Sequence, residues 1–181
     1  MIAIQELAIP EVKILTPKLH RDDRGYLAEV AQEKQMQEFG LPTFVQENQS
    51  LSYRKGTLRG LHAQKAPHEQ AKLVRVLCGK IFDVAVDIRS GSPTYGKHVS
   101  ATLSADDVTQ MFVPAGFLHG FCTLEDKTVV LYKISGFYAQ ASEIGVIWDD
   151  PDLNIAWPIG KGGAILSAKD AGLPRFKDLH K

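Results

Sequence analysis

Five stretches of the chain carry side chains that can move a proton or hold a charge. Arg59-Gly60-Leu61-His62-Ala63-Gln64 sets an imidazole three residues after a guanidinium, with a glycine between them. A glycine there lets a ligand or another backbone come close, because no side chain intervenes. An imidazole can take and return a proton near neutral pH, although a histidine in a strand is as easily structural. Lys72 heads the next apolar run. Pointing inward beside His62, its ammonium would stabilise a developing oxyanion; pointing outward, it is a solvated strand end. In Val113-Pro114-Ala115-Gly116-Phe117-Leu118-His119-Gly120-Phe121, a tight Pro-Gly turn delivers His119 at the head of a strand. Tyr132, between Leu131 and Lys133, either packs in the core or offers its hydroxyl as a proton donor. Asp170, in Ser167-Ala168-Lys169-Asp170, reads as part of a helix-end device.

The elements that must position these groups are strands. Phe82-Asp83-Val84-Ala85-Val86-Asp87-Ile88 alternates with period two. The larger apolar residues fall on one face and the acids with Ala85 on the other, which reads as a strand with one buried face. Lys72 to Leu77, His98 to Leu103, Thr109 to Val113 and Thr128 to Ile134 are further strands, separated by turn signals at 78–80, 89–93, 104–107 and 125–127. Short strands about ten residues apart predict a β-sandwich or barrel. Helix is confined to Ala31–Phe39, stopped by Gly40 and Pro42, and a brief turn capped by Ser167. No repeat or linker divides the chain, so the reading is one all-β domain over residues 1–181.

Composition removes several classes. A chain of 181 residues buries roughly 70% of its unfolded surface and needs no disulfide or metal to hold a core. Lys plus Arg equals Asp plus Glu at 21 each, which argues against the broad basic footprint of a nucleic-acid binder. No apolar run approaches the ~18 residues of a membrane span. Met1 to Glu11 lacks the basic start and apolar stretch of a signal peptide. Cys78 and Cys122, without CxxC spacing, read as reduced core thiols of a cytoplasmic protein.

The spacing P-x-G-x-x-H ending at His119 resembles the second motif of the cupins, small double-sheet barrels. Metal-binding cupins carry H-x-H and a Glu on an earlier strand. Here that stretch offers His62, His68 and Glu69 without the pair, so a metal site of these three with His119 is the lesser alternative and no metal is expected.

Taken in order, the motifs resemble a narrower family. Val45-Gln46-Glu47-Asn48-Gln49-Ser50 precedes Leu58-Arg59-Gly60-Leu61-His62; Lys72 to Val76, Asp83 to Arg89 and Ser92-Pro93-Thr94 follow. Pro114 to Phe117, Tyr132-Lys133, Glu143 to Pro151, Trp157-Pro158 and Ser167 to Asp170 complete the set. From about Thr16 to Pro174 the chain resembles the dTDP-4-dehydrorhamnose 3,5-epimerases. The resemblance implies a cupin-type jelly roll with a few short helices, including a C-terminal one. It also implies a cofactor-independent isomerase and a homodimer whose subunits exchange N-terminal strands. His62 resembles the catalytic base, Asp170 the carboxylate that orients it, Tyr132 the acid on the opposite sugar face, and Lys72 the cation near the 4-keto oxygen. Arg24, Glu29, Gln46, Asn48 and Arg59 match positions that contact the nucleotide diphosphate or sugar, as do His119, Tyr138, Glu143 and Lys169.

Three aromatic positions depart from the family pattern: His20 and Leu27 replace the two Phe of the N-terminal motif around Arg24, and Ala63 follows His62. All four proposed catalytic side chains are kept. The expected substrate is therefore dTDP-4-keto-6-deoxyglucose inverted at carbons 3 and 5. The alternatives are a relative that inverts one centre of a related nucleotide sugar, and the metal cupin.

Overall fold

A computed structural model of the chain describes residues 1–160 and 163–179. The first half runs β1 (Ile2–Glu6), β2 (Lys13–Pro17), β3 (Leu19–Asp22), β4 (Gly25–Ala28), α1 (Glu33–Glu38), β5 (Gln46–Ser52), β6 (Leu58–Gln64) and β7 (Lys72–Cys78). The second half adds β8 (Lys80–Asp87), β9 (His98–Ser104), β10 (Gln110–Val113), β11 (Phe117–Thr123), β12 (Thr128–Ile134), β13 (Glu143–Gly145) and α2 (Ala168–Ala171). Two antiparallel sheets form a jelly roll, ordered β1-β2-β10-β7-β12-β5 and β13-β6-β11-β8-β9. Among the described residues, the hairpin β3-β4 pairs with neither sheet.

Alternation along each strand sorts side chains into three apolar clusters. Between the sheets, Val74, Val76 and Val130 pack with Ile81, Ala85 and Phe121. Outside the five-stranded sheet, Leu61, Val84, Val86 and Leu118 are covered by the C-terminal segment through Val146, Leu153 and Trp157. Near α1, Met36 and Leu41 pack with Leu15, Leu73 and Phe112.

β8 departs from the sequence reading. Its acids do not face water: Asp83 and Asp87 are fully buried, two and six residues on from Ile81 along the interior face. Both faces of the strand are covered, because the C-terminal segment lies over Val84 and Val86. Period two records two environments, and here neither is solvent. Asp87 accepts hydrogen bonds from Arg89 (2.7 and 2.9 Å), Ser92 and Thr94 (2.6 Å each), holding the β8–β9 turn. Those bonds outweigh a burial that alone would raise it, and keep the carboxyl well below the usual carboxylate range.

The Cys78 thiol is exposed and only Cys122 is buried, so the expectation of two core thiols holds for one. α1 begins two residues later than expected: Gln32 is still extended, and the Val30 carbonyl just before it accepts from Gln110 Nε2 at 2.7 Å on β10.

Gly60 confirms the close approach its sequence suggested. Its φ is +122°, and a Cβ there would lie 2.6 Å from Gly120 Cα and 2.7 Å from the His119 carbonyl. β6 carries one extra residue against β11 at this point, a bulge that sets the chain just ahead of His62. Gly60→Ala is expected to lose more than about 2 kcal/mol of stability, since strain adds to backbone overlap. Urea denaturation would check this, and a midpoint equal to wild type would contradict it.

Candidate active site

The open side of the interior between the sheets holds a narrow cleft of about 150 Å³. Its walls are Gln46 and Asn48 of β5, His62 and Gln64 of β6, Lys72 of β7, Tyr132 of β12 and Glu143 of β13, with Tyr138 at the rim. The proposed catalytic groups thus come from three adjacent or facing strands, with Asp170 behind them.

His62 Nε2 lies 2.7 Å from Asp170 Oδ1. The carboxylate is almost fully buried, while the imidazole keeps 27% of its side chain exposed toward the cleft. The Ser167 reading also holds: its Oγ accepts the Asp170 backbone N–H at 3.0 Å, starting α2 so that the carboxylate meets the imidazole. With Nε2–H donated to Asp170, Nδ1 keeps its lone pair. Burial holds the imidazole below its ordinary pKa, although Asp170 pulls the other way, so the basic form prevails at neutral pH.

Lys72 points inward. Its Nζ donates a long bond of 3.4 Å to the His62 carbonyl, and desolvation brings its pKa down to about 8 against the pull of Asp83 and Glu143. The Tyr132 ring packs against the central cluster while its side chain lines the cleft, so the two sequence readings are compatible. An imidazole base, an ammonium and a phenol around one space can remove a proton beside a carbonyl, hold the resulting enolate and return a proton.

The expected binding residues divide. The Gln46 amide donates to Asn48 Oδ1 at 3.1 Å and accepts the Tyr138 backbone N–H at 3.3 Å. Glu143 accepts from Tyr138 Oη at 3.0 Å and pairs with Lys169. Burial works to raise the Glu143 pKa, but these two partners lower it below its ordinary value. Lys169 lines an adjoining groove of about 400 Å³ that shares His62 and Glu143 with the cleft. Arg59 is exposed and bonded to Ser52 Oγ and the Leu51 carbonyl, outside the cleft lining. His119 is buried, with Nε2 at 2.7 Å from Asp83 Oδ1, and sits opposite His62 in the β6–β11 register. Arg24 and Glu29 lie on or just after the β3-β4 hairpin, both exposed, with Arg24 bonded to Asp22.

The departures sort in the same way. His20 and Leu27 face each other across that hairpin. Ala63 borders the cleft, but its methyl packs in the outer cluster with Leu61 and Val84. The alternative metal set is not assembled. His68 and Glu69 are exposed in the loop after β6, and among the described residues no three His, Cys, Asp or Glu side chains group to hold an ion.

Sequence reasoning missed two residues at the rim and one beneath it. Gln64 donates to the His68 carbonyl at 2.7 Å and accepts the Ala139 N–H at 2.6 Å; Gln70 donates to the Gly136 carbonyl at 2.7 Å. Together they tie the loops after β6 and β12 to each other. The signal for Gln64 was its spacing of two from His62 on one strand. Asp83 was assigned to a wet face, and only the fold brings it inside.

The family model for dTDP-4-dehydrorhamnose 3,5-epimerase matches residues 6–178. A dTDP-4-dehydrorhamnose 3,5-epimerase of Sinorhizobium fredii is 48% identical over 179 residues, covering 97% of this chain and 90% of its own length. The crystal structure of the Bacillus anthracis dTDP-4-dehydrorhamnose 3,5-epimerase with TDP and PPi bound has TM-score 0.93 at 43% identity, covering 97% of this chain and 99% of that one. A dTDP-6-deoxy-D-glucose-3,5-epimerase of Legionella pneumophila in complex with dTDP-4-keto-L-rhamnose has TM-score 0.94 at 42% identity, covering 99% and 95%.

Proposed function

The chain belongs to the dTDP-4-dehydrorhamnose 3,5-epimerase family, and on that premise we propose how it works. It is an isomerase that inverts carbons 3 and 5 of dTDP-4-dehydro-6-deoxy-D-glucose, giving dTDP-4-dehydro-L-rhamnose. The observation that carries the mechanism is the meeting of the His62–Asp170 pair, Lys72 and Tyr132 at one cleft.

Both inverted carbons neighbour the 4-keto group, so loss of either proton gives an enolate. His62 takes the proton, and Asp170 fixes its tautomer and favours the imidazolium that forms. Lys72 neutralises the charge growing on oxygen, where a preformed cation acts without reorganising. Tyr132 gives a proton to the opposite face, which inverts the centre. His62 then loses its proton to solvent and Tyr132 regains one, restoring the site. A second round at the other carbon needs no redox step.

Tyr132→Phe keeps the ring against Val130 but removes the donated proton. In deuterated water this variant is expected to wash label into the sugar at least about tenfold faster than it forms inverted product, since the base still works. Equal losses of exchange and inversion would contradict the division of labour between the two faces.

The pH profile follows from the two perturbed groups. Activity is expected to fall on the acid side, beyond the ordinary imidazole range because burial holds His62 below it, and to fall again near pH 8 as Lys72 loses its charge. A profile of kcat/KM flat from pH 7 to 10 would exclude Lys72 as the working cation.

Arg24 and Glu29 belong to this reading through a second subunit. The hairpin carrying them pairs with neither sheet and stands exposed, which supports a homodimer in which it reaches the partner's nucleotide. Arg59 and Arg24 suit the diphosphate because a guanidinium donates paired hydrogen bonds. His119, Gln46, Asn48, Tyr138, Glu143 and Lys169 complete the contacts. The chain acts as one domain, and its two free thiols suit the reducing cytoplasm. None of the helices among the described residues is long and apolar enough to cross a membrane.

A further inference from the structure

We propose that Asp83, clamped by His119, is the counter-charge that keeps Lys72 protonated and in place beneath the sugar, a positioning residue for the reaction. An ammonium among protein atoms needs either hydrogen bonds or an opposite charge. Among the described residues Lys72 has one long bond, 3.4 Å to the His62 carbonyl. The strand β10 beside it contributes no titratable group. The groups facing it are His62 of β6, Asp83 of β8, His119 of β11, Tyr132 of β12 and Glu143 of β13.

The nearby carboxylates are not equally available. Asp170 is given to His62, and Glu143 to Lys169 and Tyr138. Asp87, farther along the same face of β8, is saturated by Arg89, Ser92 and Thr94. Asp83 differs. Its Oδ1 meets His119 at 2.7 Å, while its Oδ2 is buried without a hydrogen-bond partner among the described residues. It sits between Ile81 and Ala85 along β8, and these two pack with Val74 and Val76 of β7, the residues that follow Lys72 on its own face. Asp83 and Lys72 therefore face the same interior, and the Asp83 charge favours the protonated lysine. His119 holds Asp83 from the strand between β6 and β8, so the carboxylate is fixed on the interior face just beneath the cleft lining.

The kinetic consequence rests on the epimerase reading above; the electrostatic one does not, so the two are tested apart. Thermal denaturation at pH 7 would compare wild type, Asp83→Asn, Lys72→Met and the double variant. If the charges pair, Lys72→Met strands a buried carboxylate, and adding Asp83→Asn should raise Tm above that of Lys72→Met alone. That comparison decides even if Asp83→Asn by itself fails to fold. A double variant that melts no higher than Lys72→Met would overturn the pairing and leave Asp83 a partner of His119 only. In turnover, Asp83→Asn should move the alkaline limb of kcat down by about one pH unit, because removing a neighbouring negative charge favours neutral lysine. An unmoved limb with a lower plateau would overturn the positioning role. Thermal coupling in a protein that fails to turn over the nucleotide sugar would count against the epimerase reading and not against the pair.

Discussion

His62→Ala is expected to lower kcat by roughly 10²- to 10⁴-fold, the usual worth of a positioned general base. The imidazole has two tasks here. It must hold a free lone pair toward the cleft, and it must carry a positive charge for the life of the enolate. The 2.7 Å contact to Asp170 serves both, by taking Nε2–H and by sitting beside the imidazolium. Alanine removes the base and leaves Asp170 almost fully buried without its partner. Nucleotide binding should survive, because the diphosphate is assigned to Arg24 and Arg59, neither of which lines the cleft floor. Affinity for dTDP by calorimetry should therefore stay within about tenfold of wild type. Turnover within about tenfold of wild type would remove His62 from its role.

Lys72→Met should cost roughly 10²- to 10³-fold in kcat, as does loss of one donor from an oxyanion site. Methionine is close in length and apolar, so the space stays filled while the charge goes. The loss should be of a different kind from that at His62. Without the cation the enolate is too high in energy to form, so deuterium exchange and inversion should fall together. Exchange that persisted while inversion stopped would place Lys72 with Tyr132 on the reprotonation step.

Much of this arrangement was legible because strands write their environment into alternate residues. Thr128 to Ile134 is a strand over the same seven residues that its Val, Leu and Tyr content indicated. Gly60 and Ser167 were readable for a similar reason: each does a local job, a close backbone approach and a helix cap, that few other residues do as well. The acids of β8 were misread because alternation distinguishes two faces without saying what covers them. The cover is a segment from Val146 to Trp157 that is mostly irregular and has no period to read. The neighbours of each strand were equally silent. That β6 lies beside β11, bringing His119 opposite His62, is a fact of topology, and so is the entry of Asp83 into the interior. Arg24 and Glu29 mark a further gap. Their positions matched a motif, yet within one chain they stand away from the cleft, and a motif does not say which subunit it serves.

The central claim is that one cleft removes and returns protons at two carbons through enolates. Its most direct test is a single incubation of wild-type enzyme with dTDP-4-keto-6-deoxyglucose in deuterated water, followed by NMR of the sugar. The expected product carries solvent deuterium at both carbon 3 and carbon 5, each with inverted configuration. Label and inversion at one carbon alone would make the protein a single-centre epimerase, and inversion without label at either carbon would contradict proton exchange through His62 and Tyr132 altogether.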